Sequence, residues 1–468
     1  MPFLLIFITA LYPPLLCLKR VWDRKDLSFF DIYIVACTLY YILIPYKAYY
    51  IDCLPFFDLQ ESTTALLVAT ALEYVMLIVN HFTRKYTIFN LTQSIRKVDS
   101  MLSCSPRIFL LAIIFGGMML YKVTDYSELT ADNHEVNNQL YFGSNMPIYI
   151  RMFWLFALKY ITIVFIFSVK VWKHQRHGFN RIFGLIAMGV IVAYYLLGPK
   201  TPMVTFIMFV SIYFYATQLH KLTRRKLLSI GGAAIMAAAI IFPFSQGLRL
   251  VKQDSVSSGS TSFSEVVSNY GNLSRSEEKA LQERVAQYTH GRSTNVFDAL
   301  NSSCEHPFQG NGLLSYYVLV SVLPLNTEQL GSNGNILGDV YAFKGADIGE
   351  SILTWFNADL RYWGILMTAA FMIIAVWWFH TYFSFFAKYL HSRVLILYAI
   401  CSLFTLCFQI EIAPGNFFHR FYVDEFLPLL VAVLAFKWTQ TKSRKRLVSL
   451  QNQHDLKVDT NTTSSLIR

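Results

Sequence analysis

Arginines, histidines and carboxylates gather at the edges of apolar runs in this sequence, and their types suit one kind of chemistry. SQGLRL places Arg249 just past an apolar run, and YTHGRSTNVFDAL carries His290 and Arg292. IGESILTWFNADLRYWGIL carries Glu350, Trp355, Asp359 and Arg361. IEIAPGNFFHRFYVDEF supplies Glu411, His419, Arg420, Asp424 and Glu425, and the short turn LLGPKTP adds Lys200. A guanidinium offers a rigid fork of donors that matches phosphate oxygens, so several of them at a membrane edge suit a lipid-linked diphosphate. An imidazole or carboxylate beside them could take a proton from a hydroxyl.

Each residue also has a plainer reading. Arg and Lys at span ends snorkel to headgroups. Lys200 between two prolines punctuates a tight turn, and His290 and His419 are a solvated and an interfacial ring. Glu350 caps the helix that follows it, Trp355 belongs to an interface belt, and Asp359 with Arg361 forms a surface pair of little weight.

The elements that must position these groups are membrane helices. Of 468 residues, 54% are hydrophobic, 16% aromatic and only 15% charged, too little polar surface for a soluble protein of this size. Apolar runs such as LLVATALEYVMLIVN from Leu66 and RIFGLIAMGVIVAYYLLG from Arg181 recur without alternation, which predicts helical spans and not a barrel. The first run, MPFLLIFITALYPPLLCL, has no Lys or Arg before it and ends in Lys19 and Arg20, so it reads as a span and not as a cleaved signal peptide. The net charge of +11 falls in short clusters between apolar runs, a topology signal and not a nucleic-acid face.

Those clusters are Lys19, Arg20, Arg24 and Lys25; Arg84, Lys85, Arg96 and Lys97; Lys170, Lys173, Arg176 and Arg181; Lys221, Arg224, Arg225 and Lys226; and Lys442, Arg444, Lys445 and Arg446. Placing all of them in the cytoplasm predicts an all-α polytopic protein of about eleven spans, with the N-terminus outside and the C-terminus inside. Residues 1–244 would hold roughly eight spans and residues 362–438 roughly three more. Residues 245–361 would form a long external loop containing short helices, with 439–468 a polar cytoplasmic tail. GLLSYYVLVSVLPL, from Gly312 to Leu325, is too short for a span and reads as an interfacial helix.

Glu73 and Lys159 fall inside apolar runs, and an ion pair between them would relieve the burial of both. The seven cysteines lack metal-ligand spacing; Cys53 and Cys304, both read as external, either pair or stay as free thiols. No Walker loop, dinucleotide fingerprint, zinc motif or GxSxG elbow occurs, which argues against soluble nucleotide chemistry.

Four segments in order, LLGPKTPMVTF, GRSTNVFDAL, GNGLLSYYVLVSVLP and IGESILTWFNADLRYWGIL, make residues 190–370 resemble the Wzy-type O-antigen and oligosaccharide repeat-unit polymerases of bacteria. The sequence departs from that family at Pro324, which is followed by Leu325 and Asn326 where an Arg is common, and at Asn357 and Asp359, where relatives often carry a second Gly. The resemblance implies a GT-C-like membrane glycosyltransferase of the bacterial inner membrane that uses no cofactor and no metal. Its substrates would be undecaprenyl-diphosphate-linked oligosaccharides, with membrane lipid and a chain-length regulator as further partners and no nucleic acid. The motif positions it carries over are Lys200, Arg292, Gly349 and Glu350. In that setting Arg249, Arg292, Arg420 and Lys200 are the diphosphate ligands, Glu350, His290 and His419 compete as general base, and Trp355 stacks on a sugar. An O-antigen ligase or a flippase of lipid-linked oligosaccharide uses similar parts. A flippase predicts charges within spans and an internal repeat, neither of which the sequence favours.

Overall fold

A computed structural model of the protein describes residues 2–50, 63–100, 105–124, 148–197, 200–218, 223–229, 268–305, 351–389 and 394–408, with isolated positions at 231, 232, 236, 244, 247, 250, 251 and 410. The described residues contain helices and no strand. In chain order the helices are α1 (Pro2–Ala10), α2 (Tyr12–Trp22), α3 (Phe29–Thr38), α4 (Ile44–Tyr50), α5 (Thr63–Thr83), α6 (Leu91–Asp99) and α7 (Arg107–Thr124). They continue with α8 (Ile148–Trp172), α9 (Gly178–Leu197), α10 (Lys200–Gln218), α11 (Arg275–Glu305), α12 (Ile352–Leu360), α13 (Trp363–Tyr389) and α14 (Val394–Phe408). A π-helical turn, Leu39–Leu43, joins α3 to α4.

Among the described residues, five stretches are long and apolar enough to cross a bilayer: Leu4–Trp22, Phe29–Lys47, Thr63–Thr83, Gly178–Leu197 and Trp363–Lys388. Four shorter apolar helices, Arg107–Tyr121, Tyr160–Trp172, Met203–Gln218 and Val394–Phe408, accompany them. Large apolar side chains stay outward on these elements, including Leu4, Leu15, Phe179, Ile182, Leu366 and Trp377. Such a surface is stable against lipid tails and would aggregate in water. The chain is an all-α, multi-pass membrane protein. The expected run of about eleven spans continues into residues 411–438, which lie outside the described residues, as do the interfacial helix at 312–325 and the tail.

Four of the five basic clusters converge on one end of the bundle. Arg20 at the end of α2 pairs with Asp31, a carboxylate only 1% exposed in the first turn of α3. Asp31 also forms a capping box with Ser28 and accepts Asn80 Nδ2 from α5 at 2.7 Å. Close by, Arg96 of α6 pairs with Asp26 at 2.8 Å, and Lys170 of α8 pairs with Asp99 at 2.8 Å, joined by the Tyr213 hydroxyl of α10. Tyr215 donates to the Lys25 carbonyl at 2.7 Å, and the Arg224 guanidinium lies 5.3 Å from the Trp22 ring centre. Here cations and carboxylates from several connections neutralise one another, so the basic end is a network and not a bare positive patch.

The other end lies one helix length away. From Arg84 back to Thr64 along α5 is about 30 Å at 1.5 Å per residue, the thickness of a hydrocarbon core. There α11 lies against α12, α4, α5 and the π-turn. Its length corrects the expectation of short loop helices, since α11 has 31 residues. Ser274 and Glu277 form a capping box at its start, with Ser274 N donating to Glu277 Oε2 at 2.8 Å, and no proline interrupts the helix. Its first turns are exposed, whereas Val296, Phe297 and Leu300 are buried in the main core and Ala299 is buried beside them.

A second core joins α7, α8, α9 and α10. It depends on two glycines: a Cβ at Gly184 would come within 2.9 Å of the Phe109 ring, and one at Gly116 within 3.0 Å of Val190 Cγ1.

Arg225→Cys and Glu278→Cys, introduced one at a time at these exposed positions, are expected to react with a membrane-impermeant maleimide from opposite sides of the membrane, compared between intact cells and inverted vesicles. Asp31→Ala leaves Arg20 and Asn80 without their acceptor and is expected to cost about 3–5 kcal/mol, read as a lowered melting temperature of the detergent-purified protein.

Candidate functional site

A polar cavity of about 230 Å³ opens at the end remote from the basic network. Thr64 of α5, Ser303, Cys304 and Glu305 of α11, Asn357 of α12, and Arg361 and Tyr362 of the following turn line it. Its position follows from two local devices. Ser351, and not Glu350, caps α12, its side chain accepting from Thr354 N at 3.0 Å, while Tyr41 of the π-turn donates to Ser351 Oγ. After nine residues α12 stops at Arg361, whose backbone φ of 52° falls in the left-handed region, and the chain reverses into α13. Gly364 makes that reversal feasible, because a Cβ there would lie 2.6 Å from the backbone of Phe356 and Asn357. A non-glycine residue held at positive φ costs of order 1 kcal/mol, and such strain collects at functional sites.

Polar bonds fix the walls. Asn357 Nδ2 donates to Ser303 Oγ at 2.9 Å and to Cys304 Sγ at 3.3 Å, tying α12 to the last turn of α11. Asn301 Nδ2 donates to Glu305 Oε1 at 2.8 Å, while Asn301 Oδ1 is buried with no partner among the described residues. Asp298, Asn301 and Glu305 follow each other at three- and four-residue intervals and therefore share a face of α11. Burial pushes the Asp298 carboxyl up from 3.8 to about 7, and burial raises the Cys304 thiol to about 11. A guanidinium, an amide, three hydroxyls and the Glu305 carboxylate around one opening could hold an anionic oxygen and sugar hydroxyls and move a proton.

The residues singled out from sequence fall into three groups. Lys200 opens α10 and His290 and Arg292 lie within α11, but their side chains are not among those described. Because α10 delivers Tyr213 and Tyr215 to the basic end, Lys200 begins at the cavity end. Arg292 and His290 sit about 18 and 21 Å along the helix axis from Cys304, so the helix spreads the candidates along one end and does not gather them into one pocket. Arg249, Glu350, His419 and Arg420 lie outside the described residues. Leu250, the neighbour of Arg249, packs with Leu281 of α11 and Leu197 of α9.

Trp355 departs from expectation. It is 6% exposed in the main core, so its ring has little surface to offer a sugar. Burial wins here because α12 is packed on α11 and α13 along most of its length. Cys304 is a free thiol; Cys53 lies outside the described residues. The expected partner of Glu73, Lys159, has no described side chain, and the hydrogen bond that Glu73 makes is with Thr38 at 2.6 Å. α5 packs mainly on α3, α13 and α1, and α8 on α7 and α9. Sequence reasoning gave no role to Asp298 and Ser303 and treated Asn357 only as a departure from a family pattern. The three- and four-residue spacing of Asp298, Asn301 and Glu305 was the available signal.

No protein-family model matches the chain, and neither does any curated protein or solved structure.

The raised Asp298 carboxyl sets a pH dependence with a definite sign. Its protonated form favours the docked state, so that contribution is complete below about 4 and is lost as pH rises through about 7. Hydrogen exchange at Val296–Leu300 is expected to lose protection over that window, after correction for intrinsic exchange rates. Asp298→Asn is expected to flatten the trend.

Proposed function

We propose that the chain is a Wzy-type polymerase that joins undecaprenyl-diphosphate-linked oligosaccharide repeat units at the outer face of the bacterial inner membrane. The observation that carries this reading is the placement of α11. That helix bears the GRSTNVFDAL segment and lies at the same end as Lys200 and Arg361, opposite the basic network. If the basic network marks the cytoplasm, the cavity opens where lipid-linked repeat units are joined.

In the reaction, a hydroxyl of the acceptor repeat unit attacks the anomeric carbon of the donor chain. The bond from that carbon to the lipid diphosphate breaks, and the hydroxyl proton passes to a base. The departing diphosphate gains negative charge, which calls for fixed positive donors more than for a proton. Arg361 at the cavity and Arg292, Arg249, Lys200 and Arg420 are the candidates for that charge. Asp298 and Glu305 join Glu350, His290 and His419 as candidates for the base. Asn357 would act as a positioning residue, since it holds α11 to α12 across the cavity wall.

Deleting the gene is expected to reduce surface polysaccharide on a gel from a ladder to a single attached repeat unit; loss of every attached unit would instead indicate a ligase or flippase. Arg361→Ala and Arg292→Ala are each expected to lower polymer formation about 10²–10³-fold, the cost of losing one charge-stabilising donor, at unchanged protein abundance. A normal ladder in both variants would remove the cation track from the mechanism.

A further inference from the structure

Glu73 belongs neither to the basic network nor to the cavity. It sits midway along α5 and is fully buried, about 15 Å by helical rise from either end of the helix. Its Oε1 lies 2.6 Å from Thr38 Oγ1, and its Oε2 is buried with no hydrogen-bond partner among the described residues. Thr38 Oγ1 also lies 3.0 Å from the carbonyl oxygen of Ile34, one turn back in α3. A threonine hydroxyl has one proton, and a backbone carbonyl can only accept. With that proton given to Ile34, both contacts of Thr38 are satisfied in full when the carboxyl group of Glu73 supplies the second proton.

The surroundings agree with this count. An isolated carboxylate in an apolar interior is so costly that the group keeps its proton instead. Among the described residues, the titratable groups that interact with Glu73 are the Cys37 thiol of α3, the Cys17 thiol of α2 and the Tyr74 phenol of α5, none of which is a cation. Of the other elements packed on α5, α1 carries no titratable side chain. His380 and Lys388 lie in the half of α13 nearer the basic end, and Asp298 of α11 lies at the cavity end. Tyr40 and Tyr41 lie on the π-turn, where the Tyr41 hydroxyl is committed to Ser351.

We propose that Glu73 is an intramembrane proton-binding site, a neutral carboxylic acid that donates to Thr38 Oγ1. Losing the proton would force Thr38 to turn from Ile34 toward Glu73. That would release the last turn of α3 where it passes into the π-turn, whose Tyr41 holds the cap of α12. The proton at Glu73 thus secures the joint between the middle of the membrane and the cavity wall.

Infrared spectroscopy of the full-length protein in detergent, with glutamate labelled by ¹³C at the side-chain carboxyl, tests this directly. A protonated-carboxyl carbonyl band is expected to persist at a pH where exposed glutamates are ionised, and to vanish in Glu73→Gln. Absence of that band in the unsubstituted protein would overturn the proposal without relying on any variant. Loss of a carboxylate band in Glu73→Gln, together with destabilisation relieved by Lys159→Met, would likewise overturn it in favour of an ion pair.

Discussion

Within hydrocarbon a polar group must find its partner inside the protein, and this constraint organises both ends of the molecule. At one end it is met by gathering charges. Asp31 takes donors from α2, α3 and α5 at once, and Asp99 takes them from α8 and α10. The connections that would otherwise present bare cations become a cross-linked layer, which sets the relative height of six helices. The cavity end can be more loosely tied because the basic end already fixes where each helix begins or finishes.

At the cavity end the solution is different. There α11 is a polar helix whose described buried apolar side chains include Val296, Phe297, Ala299 and Leu300, and Asn357 ties it to α12 through Ser303 and Cys304. Neutral hydrogen bonds of this kind contribute about 1 kcal/mol each, less than the charged bonds of the basic network. A wall built this way can yield locally while the bundle stays intact, which suits a site that must admit a long glycan and release it.

Much of this organisation was legible in the sequence. The spacing of basic clusters predicted that their connections share one side, and four of the five do converge among the described residues, while the fifth, Lys442 to Arg446, lies outside them. The capping box Ser274 to Glu277 also stood in plain sight, though a loop of short helices was expected where a helix of 31 residues lies. What the sequence could not state was partnership across space. Whether Glu73 meets Lys159 depends on which helices touch, and that is decided by packing. Trp355 looked like a belt aromatic because it neighbours charged residues; the nine-residue α12 turns it inward. Arg361 gave no sign in its type that its backbone would be held at positive φ.

The two glycines between α7 and α9 carry a consequence for how the molecule ages and adapts. Lipid chains wet an apolar helix about as well as another helix does, so this pair coheres through fit of shape and not through expulsion of water. A methyl group at Gly184 or Gly116 would act as a wedge against Phe109 or Val190. Lateral pressure from the surrounding acyl chains would then decide whether the helices reseat or part, making tolerance of such a change a property of the host bilayer as much as of the chain.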